Sequence, residues 1–245
     1  MTVRVTPLEC GWITTDAGSM VTGETGRFRM PVGAFLVEHA RGAVVFDTGM
    51  HPSLVHDTTR LGPLAPMFDV HLDGSGLMAS RLGEAGMDPA DVDIAVLSHL
   101  HFDHAGGLCQ LPEARVLVQE KEWRAAFHPV LVEHGVYTPA DVDLGHDRTL
   151  LDGEHDVFGD GSVRIVPTPG HTIGHQSLLV EGRLLLVGDA CYCRVALDRD
   201  ALPAFSFDAE RQRACFAWLR EQEADGVQLV FSHDADQWRN LPEVL

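Results

Sequence analysis

The sequence predicts a single α/β domain. Short apolar strands alternate with segments of helical spacing. No repeat, low-complexity tract or linker interrupts the 245 residues. Several strands are followed directly by a histidine or an aspartate, as at the rim of an α/β sheet. A chain of this length buries about three quarters of its unfolded surface, so it needs no disulfide framework to fold.

The elements follow in order. Residues 34–39 and 43–47 read as two strands of a hairpin that turns at Arg41-Gly42 and ends in Asp47-Thr48-Gly49. Prolines 52, 63 and 66 with glycines 62, 74 and 76 predict a loop-rich excursion over 51–75. Helical spacing covers 77–87, and 93–98 is a buried strand. Residues 116–119 form a strand and 121–127 a helix, and 127–155 is irregular. Strands are expected at 162–168, 177–181 and 184–187. Asp208 is placed to cap a helix running to Glu223, and 228–232 is the final strand.

Composition excludes several functions. Hydrophobic residues make up 45% and charged ones 22%, a globular rather than a disordered mixture. Eighteen Lys and Arg against thirty-six Asp and Glu give a net charge of −18, which would repel nucleic acid and anionic lipid. The single lysine, Lys121, lies between two glutamates, which argues against lysine-based covalent chemistry. No apolar run approaches the roughly 18 residues of a membrane span. Residues 1–16 lack the basic start and apolar stretch of a secretory leader, so a cytoplasmic setting is expected. The five cysteines are scattered without a CxxC pair, as expected of reduced thiols.

Fourteen histidines are the unusual feature. His99-Leu-His101-Phe-Asp103-His104 leaves the 93–98 strand with four metal-competent side chains in six residues, and imidazoles with a carboxylate suit Zn²⁺ and similar ions. Gly106-Gly107 then allow a tight turn. His171, Asp189 and His233 each follow an apolar strand. Alone, each would more often be a hydrogen-bonded structural residue. Together with the cluster they predict a centre for two divalent ions.

His99-x-His101-x-Asp103-His104, Thr168-Pro-Gly-His171, Gly188-Asp189 and Ser232-His233 resemble the ordered motifs of the metallo-β-lactamase superfamily, over a span from Asp47 to His233. The resemblance implies one αββα sandwich over 1–245, a four-layer α+β arrangement. Within the superfamily, the stretches 98–107, 168–177 and 188–192 look like those of the N-acyl-homoserine lactone lactonases, the quorum-quenching hydrolases. Tyr192, three residues after Asp189, weighs most.

That resemblance implies that His99, His101 and His171 bind one metal, that Asp103, His104 and His233 bind the other, and that Asp189 bridges them. Asp47 would orient a ligand imidazole. Zinc is the first expectation, with manganese, cobalt and iron also accepted by such ligands. The expected reaction opens a small-molecule lactone by attack of a hydroxide held between the ions. Tyr192 would hydrogen-bond the carbonyl oxygen, and Asp103 would pass the proton to the leaving oxygen. Candidate acyl-chain contacts are Met20, Met67, Phe68, Phe102 and Phe205.

Cys191 and Cys193 depart from the lactonase pattern and are read as small buried hydrophobes. His175 is expected to support the 170–174 loop, and the remaining histidines to be solvated or structural. Alternatives are a lactonase for another lactone such as pyridoxolactone, a thioesterase of the glyoxalase II type, and a mononuclear iron dioxygenase acting on persulfides. Only twelve residues follow His233, which weighs against a C-terminal glutathione grip. A monomer or a homodimer is expected.

Overall fold

The computed structural model describes residues 3–245. Met1 and Thr2, the first residues of the stretch read for a leader, lie outside them.

Twelve strands are described: β1 (Arg4–Asp16), β2 (Arg27–His39), β3 (Gly42–Phe46), β4 (Asp69–His71), β5 (Ile94–Val96), β6 (Arg115–Gln119), β7 (Arg148–Leu151), β8 (His155–Asp156), β9 (Val163–Pro167), β10 (Gln176–Val180), β11 (Leu184–Leu186) and β12 (Gln228–Val230). They form a seven-stranded sheet in the order β4-β1-β2-β3-β5-β6-β7 and a five-stranded sheet in the order β12-β11-β10-β9-β8. β3, β5, β6 and β7 run parallel, and β1, β2 and β3 form an antiparallel meander.

The packing follows from alternation along each strand. Phe35 and Val37 of β2, Val44 and Phe46 of β3, and Ile94 and Val96 of β5 point between the sheets. There they meet Ile165, Leu178, Val180, Leu184 and Leu186 from the other sheet. Their sequence neighbours Leu36, Val45, Ala95, Leu179 and Leu185 point to the outer faces. On those faces lie the helices Met78–Glu84 and Ala209–Ala224, the latter through Phe216 and Leu219. With both faces buried, these strands read as unbroken apolar runs.

Four elements differ from expectation. β1 was not anticipated, because Pro7 and Gly11 interrupt its alternation; the register shifts between Glu9 and Trp12, and Gly11 has φ +95°. The 51–75 excursion is not plain loop: it contains 3₁₀ turns at Pro52–Val55 and Thr58–Met67, and β4, which pairs with β1. The stretch 127–155 holds short helices at Pro129–Glu133 and Pro139–Val142 as well as β7 and β8. The hairpin turns one residue early, with His39 opposite Gly42. Asp208 caps the long helix as expected, accepting from Arg211 N at 3.1 Å. No helix among the described residues is long and apolar enough to cross a membrane.

Candidate metal centre

Strand ends and the loops after them bring the histidines together. β3 ends at Phe46, and Asp47 follows in the left-handed region at φ +60°, an uncommon conformation for a residue with a side chain. Asp47 is fully buried. Its Oδ1 accepts from Ser98 N at 2.7 Å, and its Oδ2 accepts from Ser98 Oγ at 2.8 Å and His104 Nδ1 at 2.9 Å.

The loop after β5 carries His99 and His101, and the short helix Phe102–Ala105 carries Asp103 and His104. This segment docks on the Asp47-Thr48-Gly49 loop. Gly107 N donates to Gly49 O at 3.0 Å, and a Cβ on Gly107 would lie 2.0 Å from Thr48 O. Gly106 and Gly107 do not adopt positive φ, so close approach, not the expected tight turn, is what calls for glycine here.

His171 stands on the loop after β9, Asp189 in the 3₁₀ turn Gly188–Ala190 after β11, and His233 just beyond β12. The segment 205–208 straps the His171 loop: Phe207 N donates to His171 O and Asp208 N to Gly170 O.

The donors converge in two groups. His99 Nε2 lies 3.0 Å and His171 Nε2 3.1 Å from His101 Nδ1. Asp189 Oδ2 is 3.7 Å from His99 Nε2 and 3.3 Å from His171 Nε2. In the second group His104 Nε2 and His233 Nε2 are 3.3 Å apart, each 3.7 Å from Asp103 Oδ2. Asp189 Oδ1 faces this group, 3.3 Å from His104 Nε2 and 3.1 Å from His233 Nε2. Each Asp189 oxygen therefore serves one group.

The chemistry of this arrangement fits cations. His171 Nδ1 donates to Phe205 O at 3.1 Å and His233 Nδ1 to Pro31 O at 2.7 Å. A carbonyl can only accept, so the inward Nε2 of each neutral ring carries a lone pair. With both rings neutral, His233 Nε2 and His104 Nε2, whose Nδ1 is bonded to Asp47, face each other lone pair to lone pair at 3.3 Å, an arrangement that a cation or a proton relieves, and Asp189 Oδ1 is buried without a hydrogen-bond partner. Tetrahedral ligands about 2.1 Å from a zinc ion lie roughly 3.4 Å from one another, the spacing found here.

Electrostatics agree. Burial holds His99 and His171 well below the usual imidazole range and His101 at about 4, so these rings are neutral. Burial also opposes charge on His104 and His233, but Asp189 and Asp103 outweigh it and lift both. The second group thus holds a surplus of negative potential.

His175 does more than support its own loop. Its Nε2 accepts from Asp189 N at 2.9 Å, which puts the ring proton on Nδ1, 2.8 Å from Thr168 Oγ1. Burial pushes its pKa down to about 3.

Tyr192 is buried, with its ring centroid 5.5 Å from those of His171 and His233 and its hydroxyl 3.4 Å from His171 Nδ1. Burial, then Asp189 and Asp103, raise its pKa well above the usual range, so the phenol keeps its proton. The flanking Cys191 and Cys193 are buried, and Cys191 Sγ donates to Cys193 O at 3.4 Å. Burial raises both thiols, Cys193 to about 11, so neither is a thiolate at neutral pH.

Over the centre opens a cavity of about 400 Å³. Met20, Phe68, Phe102 and Phe205 line it, together with Asp103, Asp189 and Tyr192. Met67 does not line it: its side chain is exposed, and its carbonyl accepts from Thr15 Oγ1 at 2.8 Å. Sequence reasoning missed Met30, Leu64, Leu131, Val136, Tyr137 and Phe207, and also His134 on the rim. Leu131 to Tyr137 come from the stretch read as irregular, where no period marked an inward face.

The family model for the metallo-β-lactamase superfamily matches residues 28–240. This chain belongs to that superfamily. An N-acyl homoserine lactonase AttM from Azorhizobium caulinodans is 34% identical over 235 residues, which cover 89% of this chain and 88% of that one. An N-acyl homoserine lactonase from Bacillus thuringiensis is 30% identical over 219 residues, 85% and 83% of the two chains. Among solved structures, a mutant of B. thuringiensis AiiA with N-decanoyl-L-homoserine bound at its active site superposes with a TM-score of 0.87. It is 26% identical and covers 99% of this chain and 98% of that one. The fold of this superfamily member is thus the αββα sandwich that its motifs implied.

Proposed function

We propose that this protein is an N-acyl homoserine lactonase that opens the lactone ring with two divalent metal ions, zinc foremost. The observation that carries this reading is a seven-donor centre, split by Asp189 into two groups, at the floor of an apolar cavity with a protonated phenol beside it. The substrate class is that named for the AttM and AiiA relatives.

His99, His101 and His171 would hold one ion, Asp103, His104 and His233 the other, and Asp189 both. When bound, the ions supply an acidified water at neutral pH and a Lewis-acid contact for the carbonyl. Tyr192 donates its hydroxyl proton in a hydrogen bond to the carbonyl oxygen as negative charge develops there. Asp103 takes the proton lost by the attacking water and delivers it to the ring oxygen as the acyl C–O bond breaks. Water adds across that bond, and the product is the ring-opened hydroxy acid. Asp47, Ser98, and the carbonyls of Pro31 and Phe205 hold four of the five ligand imidazoles in their tautomers. Met20, Phe68, Phe102 and Phe205 surround the acyl chain.

The test follows proton release from N-decanoyl-homoserine lactone with zinc-loaded and chelator-stripped protein. Metal-dependent acid production supports the reading. No acid from loaded protein holding two ions per chain refutes the substrate assignment.

A further inference from the structure

His101 differs from the other four ligand imidazoles. Among the described residues, nothing accepts from or donates to its outward Nε2, whereas His99, His104, His171 and His233 each have a partner on the nitrogen that faces away from the centre. Something else must fix its ring. The ring nearest it outside the donor set is Tyr137, with centroids 5.4 Å apart and planes inclined at 44°.

Tyr137 is in turn tied to Glu122, in the first turn of the helix Glu120–Ala126. Glu122 is fully buried, and no cation pairs with it among the described residues. Its Oε1 accepts from Tyr137 Oη at 2.9 Å and from Leu100 N at 3.1 Å, and its Oε2 accepts from Gly174 N at 3.0 Å. Leu100 lies between His99 and His101, and Gly174 lies three residues after His171. One carboxylate therefore grips both loops that carry the first donor group. The second loop rests directly on the helix: a Cβ on Gly174 would lie 2.5 Å from Glu122 N.

We propose that Glu122 is the positioning residue of the first donor group, as Asp47 is of the second, and that Tyr137 extends its hold to His101. This rests on the two-metal reading above. A buried carboxylate costs stability unless its bonds return it, and here all three bonds converge on the His99–His101–His171 side. Asp47 bonds Ser98 and His104 instead. Glu122 would then serve the first group alone, whereas Asp47 holds the second directly through His104 and touches the first only through Ser98, whose Oγ lies 2.9 Å from His99 Nδ1.

Glu122→Gln is the informative change. Its amide must present NH₂ either to Gly174 N–H or to Leu100 N–H, so donor meets donor at one loop and that loop is released, while the Tyr137 hydroxyl can turn to accept. Full-length wild type, Glu122→Gln and Asp47→Asn, each stripped of metal, are titrated with Zn²⁺ against a chromophoric chelator. Cobalt-loaded samples at one ion per chain are read by X-ray absorption for the number of imidazoles. Loss of such an outer partner weakens metal affinity by about 10- to 100-fold.

In Glu122→Gln that loss falls on one site, and the retained ion has two imidazoles, from His104 and His233. In Asp47→Asn the larger loss falls on the second group, bonded directly to Asp47 through His104, with a smaller loss at the first through Ser98, so the retained ion has three imidazoles, from His99, His101 and His171. Equal loss at both sites in Glu122→Gln, or no loss, overturns the proposal. If circular dichroism shows Glu122→Gln unfolded, Tyr137→Phe decides: a severalfold loss confined to the first group is expected, and wild-type affinity at both sites overturns it. Wild type that binds fewer than two ions removes the two-metal reading itself, whereas wild type binding two with Glu122→Gln unchanged removes this proposal alone.

Discussion

Replacing His175 with alanine measures how firmly Asp189 is aimed. The imidazole accepts from Asp189 N at 2.9 Å and donates to Thr168 Oγ1 at 2.8 Å, with no solvent at either end. Leaving the Asp189 N–H unpaired in a buried site costs about 1–3 kcal/mol. The void left by the ring adds about 1–2 kcal/mol, since the surrounding β-sheet rim relaxes only in part. A loss of about 2–5 kcal/mol lowers the Tm of a chain this size by roughly 4–20 °C. His175→Gln places an amide oxygen near the lost Nε2 and is expected to recover about half of the loss, because one buried bond is remade. The assay is thermal and denaturant unfolding of chelator-stripped protein at neutral pH, followed by zinc titration. If stripped His175→Ala unfolds within about 0.5 kcal/mol of wild type, the Asp189 bond contributes nothing and the argument fails. A destabilised variant that still binds zinc as tightly as wild type refutes the aiming of Asp189 while sparing the stability estimate.

Three further outcomes follow from the site. Tyr192→Phe is expected to lower kcat about 100-fold, at the low end for a lost oxyanion donor because a metal shares that oxygen, with metal content by elemental analysis unchanged. Asp189→Asn removes the carboxylate shared by both groups, so equilibrium dialysis should show loss of bound metal together with activity. Phe68→Ala opens the cavity wall, where Phe68 and Phe102 meet at 5.5 Å, and should raise KM for a decanoyl substrate by about tenfold, as lost apolar contact does, while barely altering a butanoyl one.

The donor set was legible because it is compact and because strand ends announce it. His99 to His104 lie in one stretch of six, and His171, Asp189 and His233 each follow a largely apolar strand. Asp47 was visible through the resemblance of Asp47-Thr48-Gly49 to the family pattern. Glu122 was not: in Glu120-Lys121-Glu122 it reads as part of a solvated helix face, and only long-range approach, by Leu100, Tyr137 and the Gly174 loop, buries it. Met67 and Phe68 look equivalent as neighbouring apolar residues, but the chain passes from a 3₁₀ turn into an extended residue there, and only Phe68 lines the cavity. β1 stayed hidden because its bulge at Gly11 puts the two halves of its alternation out of phase.

The bond from His233 Nδ1 to Pro31 O joins positions 202 residues apart. A contact of such long sequence separation forms late, because a loop of that length must close first. His99, His101 and His171, by contrast, have all their partners in the chain once the 205–208 segment that straps the His171 loop has been synthesised. During synthesis, then, the two groups become available in a fixed order: the three-histidine group first, and its partner only after the last strand has paired with β11. A chain cut short before His233 would lack one donor of the second group and none of the three imidazoles of the first.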